Sequence, residues 1–427
     1  MAIITYEGFE NYSSFDAVKG YLNYTNLGTL SFISSTDANS VTPRNGGTCL
    51  KSVSSGTTYP KLLLTSPNNT NTTSGVFGFS WYNLLPAGGS WGTFTPICGV
   101  IGPDGVAHFY IGVDSNGNIV VRRLNSGTYI AGSTHCGISF FGLDGLLWNS
   151  VSVCYCPGKN GCQLSYFPFF GLENITTLLG SSSGLVTANA WNYIEVKYLL
   201  SSSSTGYIQI KINRNSTDAT LDINLQNIQT TARSNTNSRS LVFGIHKGHA
   251  SNQTNGGTNT AIYTSYFDDI YWANLTGSNN DFLGRVSCKK FSYNEVASYD
   301  MTTPANSGTA LSNFNETFSG IGTISTKNIG NVAGQTLNVK STTVSSETLS
   351  PIFVRQYVHG YKTEANSDIA LGATDGVNNV AVTSVGFNSD SINGTLKFRD
   401  YDNAPDGNEW TNQKIADTTF KNTIVTT

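Results

Sequence analysis

The sequence predicts an all-β protein of two sandwich domains, and three observations carry that reading. Short runs alternate apolar and polar residues with period two. No window keeps apolar residues recurring at i, i+3, i+4 and i+7 over three turns, the spacing that a long helix needs. The composition is that of strands and turns, with 44 Gly, 21 Tyr, 22 Phe and only 12% charged residues.

The elements follow in chain order. Val76-Phe77-Gly78-Phe79-Ser80-Trp81-Tyr82 reads as a core strand. Ala107–Val113 runs into Asp114-Ser115-Asn116-Gly117-Asn118, a strong turn signal, and Ile119–Leu124 returns. In Trp191–Tyr198, Ile194 and Val196 face one way and Glu195 and Lys197 the other. Tyr207–Asn213 repeats the pattern with Ile208, Ile210 and Ile212 on one face, so the two runs predict a hairpin. Leu241–His246 and Tyr263–Trp272 complete a first domain over 1–285. An apolar segment around 137–170, with Phe140, Phe141, Trp148 and Phe167–Phe170, reads as an insertion that covers a sheet face or presents a contact patch. Composition then shifts towards Thr, Ser and Asn. Gly320–Ile324, Thr336–Lys340, Ile352–Val358 and Gly394–Arg399 predict a smaller β-sandwich over 286–427.

Length and charge bound the function. A chain of 427 residues suits two domains. A net charge of −3 without a Lys/Arg stripe gives no footprint for phosphate, so nucleic acid is not an expected partner. No run approaches the ~18 apolar residues of a membrane span. The N-terminus Met1–Gly8 lacks a basic region and a long apolar run, so the expectation is synthesis in the cytoplasm without a secretory signal.

The candidates for chemistry are few. Among the 7 cysteines, Cys154, Cys156 and Cys162 cluster. With His135 and Cys136 as helpers they suit a structural zinc; alternatively they form a late disulfide, or remain small buried thiols. Asp268 and Asp269 are consecutive, and neighbours on a regular strand point to opposite faces, which argues against a paired-carboxylate hydrolase. No Gly-x-Ser-x-Gly elbow or phosphate-cradling loop occurs. Of the histidines, only His246 and His249 are close, and a polar loop explains them as well as a metal does. Calcium has two candidate loops, Asp114/Asn116/Asn118 and Asp402/Asn403/Asp406; turn chemistry is the plainer account of both. No cofactor is otherwise expected.

Four segments carry a family resemblance. Gly8-Phe9-Glu10-Asn11-Tyr12 resembles the Gly-Phe-Asp-x-Tyr opening of structural proteins of tailed double-stranded-DNA bacteriophages, with Glu in place of Asp. The Trp191–Lys197 hairpin is similar to the late strands of the concanavalin A-like/laminin-G jelly roll. Asp268-Asp269-Ile270-Tyr271 and Asn279–Gly284 resemble the same family's domain end. The resemblance implies a non-enzymatic virion component, a capsid decoration or a tail, neck or fibre protein. Its expected partners are other virion proteins and further copies of itself. A glycan-binding host-attachment adhesin is the alternative. The cysteine cluster departs from the family pattern.

Overall fold

A computed structural model of the chain describes residues 3–10, 23–25, 30–45, 47–54, 61–66, 70–85, 90–92, 94–125, 152–155, 163–166, 176–244, 263–276, 280–301, 309, 330, 332–341, 351–360, 367–387 and 395–426. They fall into two compact units: Met1–Phe9 with Leu22–Cys288, and a second that holds Lys289–Thr427.

The first unit contains β1 (Ile3–Glu7), β2 (Asn23–Thr25), β3 (Leu30–Ile33), β4 (Cys49–Ser54), β5 (Lys61–Thr65), β6 (Ser74–Leu84), β7 (Thr95–Ile101), β8 (Ala107–Val113) and β9 (Ile119–Leu124). It continues with β10 (Ser152–Tyr155), β11 (Gln163–Tyr166), β12 (Thr176–Ser181), β13 (Trp191–Leu199), β14 (Gly206–Ile212), β15 (Ile223–Ile228), β16 (Ser240–Phe243) and β17 (Tyr263–Ala273). One sheet runs β15–β14–β13–β6–β17–β4–β3, with β1 also on β17; the other runs β12–β9–β8–β7–β16–β5–β2. Every pairing is antiparallel, including the β13–β14 hairpin expected from the alternation.

Alternation decides what lies between the sheets. Phe77, Phe79 and Trp81 of β6, Ile194, Val196 and Tyr198 of β13, and Phe267 and Trp272 of β17 are buried on one face of the eight-stranded sheet. They meet Phe109 of β8 and Phe243 of β16 from the other sheet. Phe79 lies edge-on to Phe243 at 5.3 Å between ring centroids, and Phe109 to Tyr198 at 5.8 Å. Interdigitated aromatic rings of this kind form the core of a sandwich. The hydroxyl of Tyr198 stays satisfied inside it by Ser238 and the Trp272 indole. At the Asp114 turn, the Asp114 carboxylate takes the N–H groups of Asn116 and Asn118, and Gly117 sits at φ +86°. Of the apolar segment 137–170, only the β10–β11 pair is described; Phe140, Phe141, Trp148 and Phe167–Phe170 lie outside the described residues.

The second unit is also β-built. β18 (Glu295–Tyr299), β19 (Thr336–Lys340), β21 (Ser367–Thr374), β22 (Asn379–Ser384) and β24 (Thr419–Thr426) form a sheet in the order β18–β19–β24–β21–β22. β20 (Val354–Gly360) and β23 (Thr395–Tyr401) pair separately. Leu337, Val339, Ala373, Tyr401, Trp410 and Phe420 make its core. Buried Gln356 joins the two sheets by accepting from the Tyr401 hydroxyl and donating to Lys421 O and Asn422 Oδ1. The short helix α1 (Asn412–Asp417) is capped by Thr411, whose hydroxyl accepts from Lys414 N at 3.1 Å. Gly320–Ile324 lies outside the described residues.

Phe79→Ala removes the ring that joins both sheets. Chemical denaturation should show a loss of about 3–5 kcal/mol, against a clearly smaller loss for Phe79→Leu. Equal, small losses would mean that the rings do not form a continuous core.

Candidate functional site

The outer face of the eight-stranded sheet is where ionisable and aromatic side chains collect. Cross-strand register sorts them into rows. The first row is aromatic: Trp191 opposes Tyr82, Tyr82 opposes Tyr266, and Tyr266 opposes Lys51. Tyr82 lies edge-on to both neighbours, at 5.7 Å from Trp191 and 5.7 Å from Tyr266. Trp191 and Tyr82 are half-buried, whereas Tyr266 is covered. Asp37 closes the row. Its carboxylate accepts from Lys51 Nζ at 2.7 Å, the Tyr266 hydroxyl at 2.7 Å, and the Asn39 and Val41 amides. Desolvation works against these donors, and they still hold the carboxyl down at about 2.

The second row contains Tyr193, Ser80 and the aspartate pair. Between Asp268 and Tyr271 the register of β17 on β6 shifts: Asp268 opposes Ser80, and Tyr271 opposes Gly78, two residues away on β6. One extra residue is accommodated there, with Asp269 at φ +51°. The Asp269 side chain reaches Ser80 on the same face that Asp268 occupies by register. The sequence expectation that the two carboxylates point to opposite faces is therefore corrected, because it assumed a regular strand. Asp269 Oδ2 accepts from Arg44 Nη1 at 2.9 Å, Asn45 Nδ2 at 2.9 Å and the Ser80 hydroxyl, and Oδ1 accepts from Cys288 N at 2.8 Å. Burial pushes this carboxyl upward; the Arg44 guanidinium, which also lies 5.0 Å from the Tyr193 ring centre, opposes the shift.

The third row is Lys211, Glu195, Gly78 and Tyr271. Gly78 is required by close approach: a Cβ there would lie 2.4 Å from the Tyr271 ring and 2.8 Å from the Tyr193 hydroxyl. Glu195 Oε1 takes three donors, the Tyr271 hydroxyl at 2.6 Å, Leu283 N at 2.8 Å and Gly284 N at 3.0 Å. Burial raises its pKa to about 7 against those donors.

Rows two and three are covered by one segment, Phe282–Cys288, which leaves β17 and crosses back over the sheet. We refer to it as the exit strap. Glu195 holds Leu283 and Gly284; Asp269 holds Cys288; Arg44 also donates to Val286 O at 3.1 Å. The Phe282 ring lies under the Lys211 ammonium at 4.9 Å. Gly284 adopts φ +80°, where a side chain would be strained and would also meet Ser216 N at 2.5 Å. Rows two and three are thus a fastening. The aromatic row remains beside it with Trp191 and Tyr82 partly open.

Other candidates from the sequence end elsewhere. Cys154 lies in β10, while Cys156, Cys162, His135, Cys136, His246 and His249 lie outside the described residues. His108 is buried between Thr231 Oγ1 and Asn237 O, and burial lowers its pKa. The Asp114 oxygens serve their own turn, and Asp406 binds Asn408 and Lys414. Lys414 and Asn408 hold the Asp406 carboxyl at about 2. Among the described residues no three His, Cys, Asp or Glu side chains gather in a metal-holding group.

No protein-family model and no curated protein matches the chain. Solved structures do. An endo-β-1,4-glucuronan lyase from the fungus Trichoderma reesei is similar at 14% identity and a TM-score of 0.40, covering 67% of this chain and 100% of that one. A marine alginate lyase from Aplysia kurodai matches at 8% identity and a TM-score of 0.38, over 64% and 99%. A carbohydrate esterase from the Shiga toxin-encoding bacteriophage phi24B matches at 12% identity and 0.30, over 63% and 98%. At such values the likeness assigns no residue a role. The expectation of a chain without enzymatic activity is nevertheless corrected: the similar structures include several carbohydrate-active enzymes. Its supporting argument, carboxylates on opposite faces, fails at the Asp269 bulge.

Arg44→Ala leaves Asp269 buried without its cation and should cost about 3–5 kcal/mol in denaturant unfolding. Adding Asp269→Asn to that variant should recover part of the loss. Additive losses in this double-mutant cycle would show that the pair is not coupled.

Proposed function

We propose that the chain is a surface protein of a tailed-phage particle whose first sandwich binds carbohydrate on the outer face of the eight-stranded sheet. The observation that carries the binding reading is the aromatic row. The Trp191 and Tyr82 rings are held edge to face by the sheet register and are partly open, beside a fixed network of Asp37, Asn39 and Lys51. Rigid aromatic surface next to preset hydrogen-bonding groups suits the apolar faces and hydroxyls of a sugar, because little side-chain freedom is lost on binding. The low charge of the chain, 12%, fits a neutral or weakly acidic saccharide better than a phosphate polymer.

The particle setting rests on the likeness of Gly8–Tyr12, Asp268–Tyr271 and Asn279–Gly284 to phage structural proteins. In that setting the partners are other virion proteins and further copies of this chain, and the ligand is a host-surface glycan.

Glycan-array binding of the full chain tests the site. Trp191→Ala should weaken binding roughly tenfold or more, the loss of about 1.4 kcal/mol of stacking, while Leu178→Ala, at an exposed position on the other sheet, should leave it unchanged. Binding unaffected by Trp191→Ala and Tyr82→Ala, with both variants folded, would remove this row as the ligand surface.

A further inference from the structure

We infer that Glu195 is a proton-operated latch for the exit strap: protonated, it keeps Leu283 and Gly284 closed on the sheet, and ionised, it releases them. The inference starts from an asymmetry in the carboxyl group. The side chain is wholly buried. Oε1 carries all three donors, whereas Oε2, equally buried, has no hydrogen-bond partner. A neutral carboxyl tolerates this arrangement, since its carbonyl oxygen can take the donors. An ionised one leaves half its charge on a buried oxygen with no hydrogen-bond partner, and burying such an atom is costly. Lifting the strap is the direct way to bring water to Oε2, because the strap supplies two of the three donors.

Lys211 favours the ionised carboxylate at a distance, but none of the surrounding groups hydrogen-bonds Oε2. From β17 come Tyr271, Asp268 and Asp269; from β13 itself Tyr193; from β14 Lys211; from β1 Tyr6; from the loop after β3 Arg44; just before the strap Asp281; and on it Arg285. β6 contributes only Gly78 at this point. Burial pushes the Tyr271 phenol well up, so it remains a donor. Arg44 is committed to Asp269, and Lys211 donates to Ser216 O. Asp281 pairs with Lys197, and Arg285 donates to Asn213 O.

The sign follows from the closed-state pKa of about 7 against the ordinary 4.5. The closed strap holds the proton more tightly than the open one. Its advantage is full below about pH 4.5 and is lost as pH rises through about 7.

Amide hydrogen exchange on the full chain between about pH 5 and 8.5, expressed as protection factors, tests the latch. Protection of Leu283 and Gly284 should fall by at least about tenfold across that range, while Ile194 and Val196 within β13 keep theirs. In Glu195→Gln the strap protection should be flat with pH. Tyr271→Phe removes a donor that favours the ionised form, so its fall should move to higher pH. This variant carries the test if Glu195→Gln does not fold. A flat profile in the unaltered chain, the same fall in Glu195→Gln, an unmoved midpoint in Tyr271→Phe, or a parallel loss in β13 would each overturn the latch.

Discussion

Asp269 receives hydrogen bonds from Arg44, Asn45, Ser80 and Cys288, which belong to three separate parts of the first unit, and it can do so because β17 gains one residue there. In a regular strand, Asp269 would face the aromatic core between the sheets, where a carboxylate has no donors and a prohibitive desolvation cost. The bulge turns it outward and leaves Phe267 and Trp272 in the core on either side. The local strain of a positive φ at a non-glycine residue is offset by four donors. The same residue then fixes where the chain can go after β17, because Cys288 N is one of those donors.

From this follows a division of the outer face. The strap must lie over β6, β13 and β17 to satisfy Asp269, and in that path its amides at Leu283 and Gly284 meet Glu195. Small residues make the path passable: Gly78 leaves room for two tyrosines, and Gly284 turns against Ser216. The ionisable groups under the strap are therefore structural, with one oxygen of Glu195 left as the weak point. What remains at the margin is the Trp191–Tyr82 edge. Its geometry is set by the strand register rather than by flexible loops, which is the condition for a preformed binding surface.

Much of this was legible from the sequence. Clean alternation in Trp191–Tyr198 and Tyr207–Asn213 set both the strands and the buried faces, because a period of two allows only one core-facing set. The aspartate pair and the Asn279–Gly284 turn stood out by their resemblance to a family's domain end. The bulge was not legible. The aspartate pair is unusual for a strand, but composition does not say that one of its residues is extra, and the donors that accommodate Asp269 include Arg44, over 200 positions earlier. Alternation placed Glu195 and Lys197 on the face opposite Ile194 and Val196, but it cannot reveal that a later segment will cover that face. The helix Asn412–Asp417 is too short for periodicity to register. Its capping threonine was the available signal.

The strap itself offers the most direct measurement, through limited trypsin digestion at about pH 6, where Glu195 keeps its proton, with mass-spectrometric ordering of the cuts. Arg285 lies inside the fastened segment and is exposed, as are Lys289 and Lys290 just beyond it. Proteases need several residues of unfastened backbone around the cut. If Glu195 and Asp269 clamp the strap, cleavage after Lys289 or Lys290 comes first, and the Arg285–Val286 bond survives until the sandwich unfolds. Early cleavage at Arg285, ahead of both lysines, would contradict the clamp.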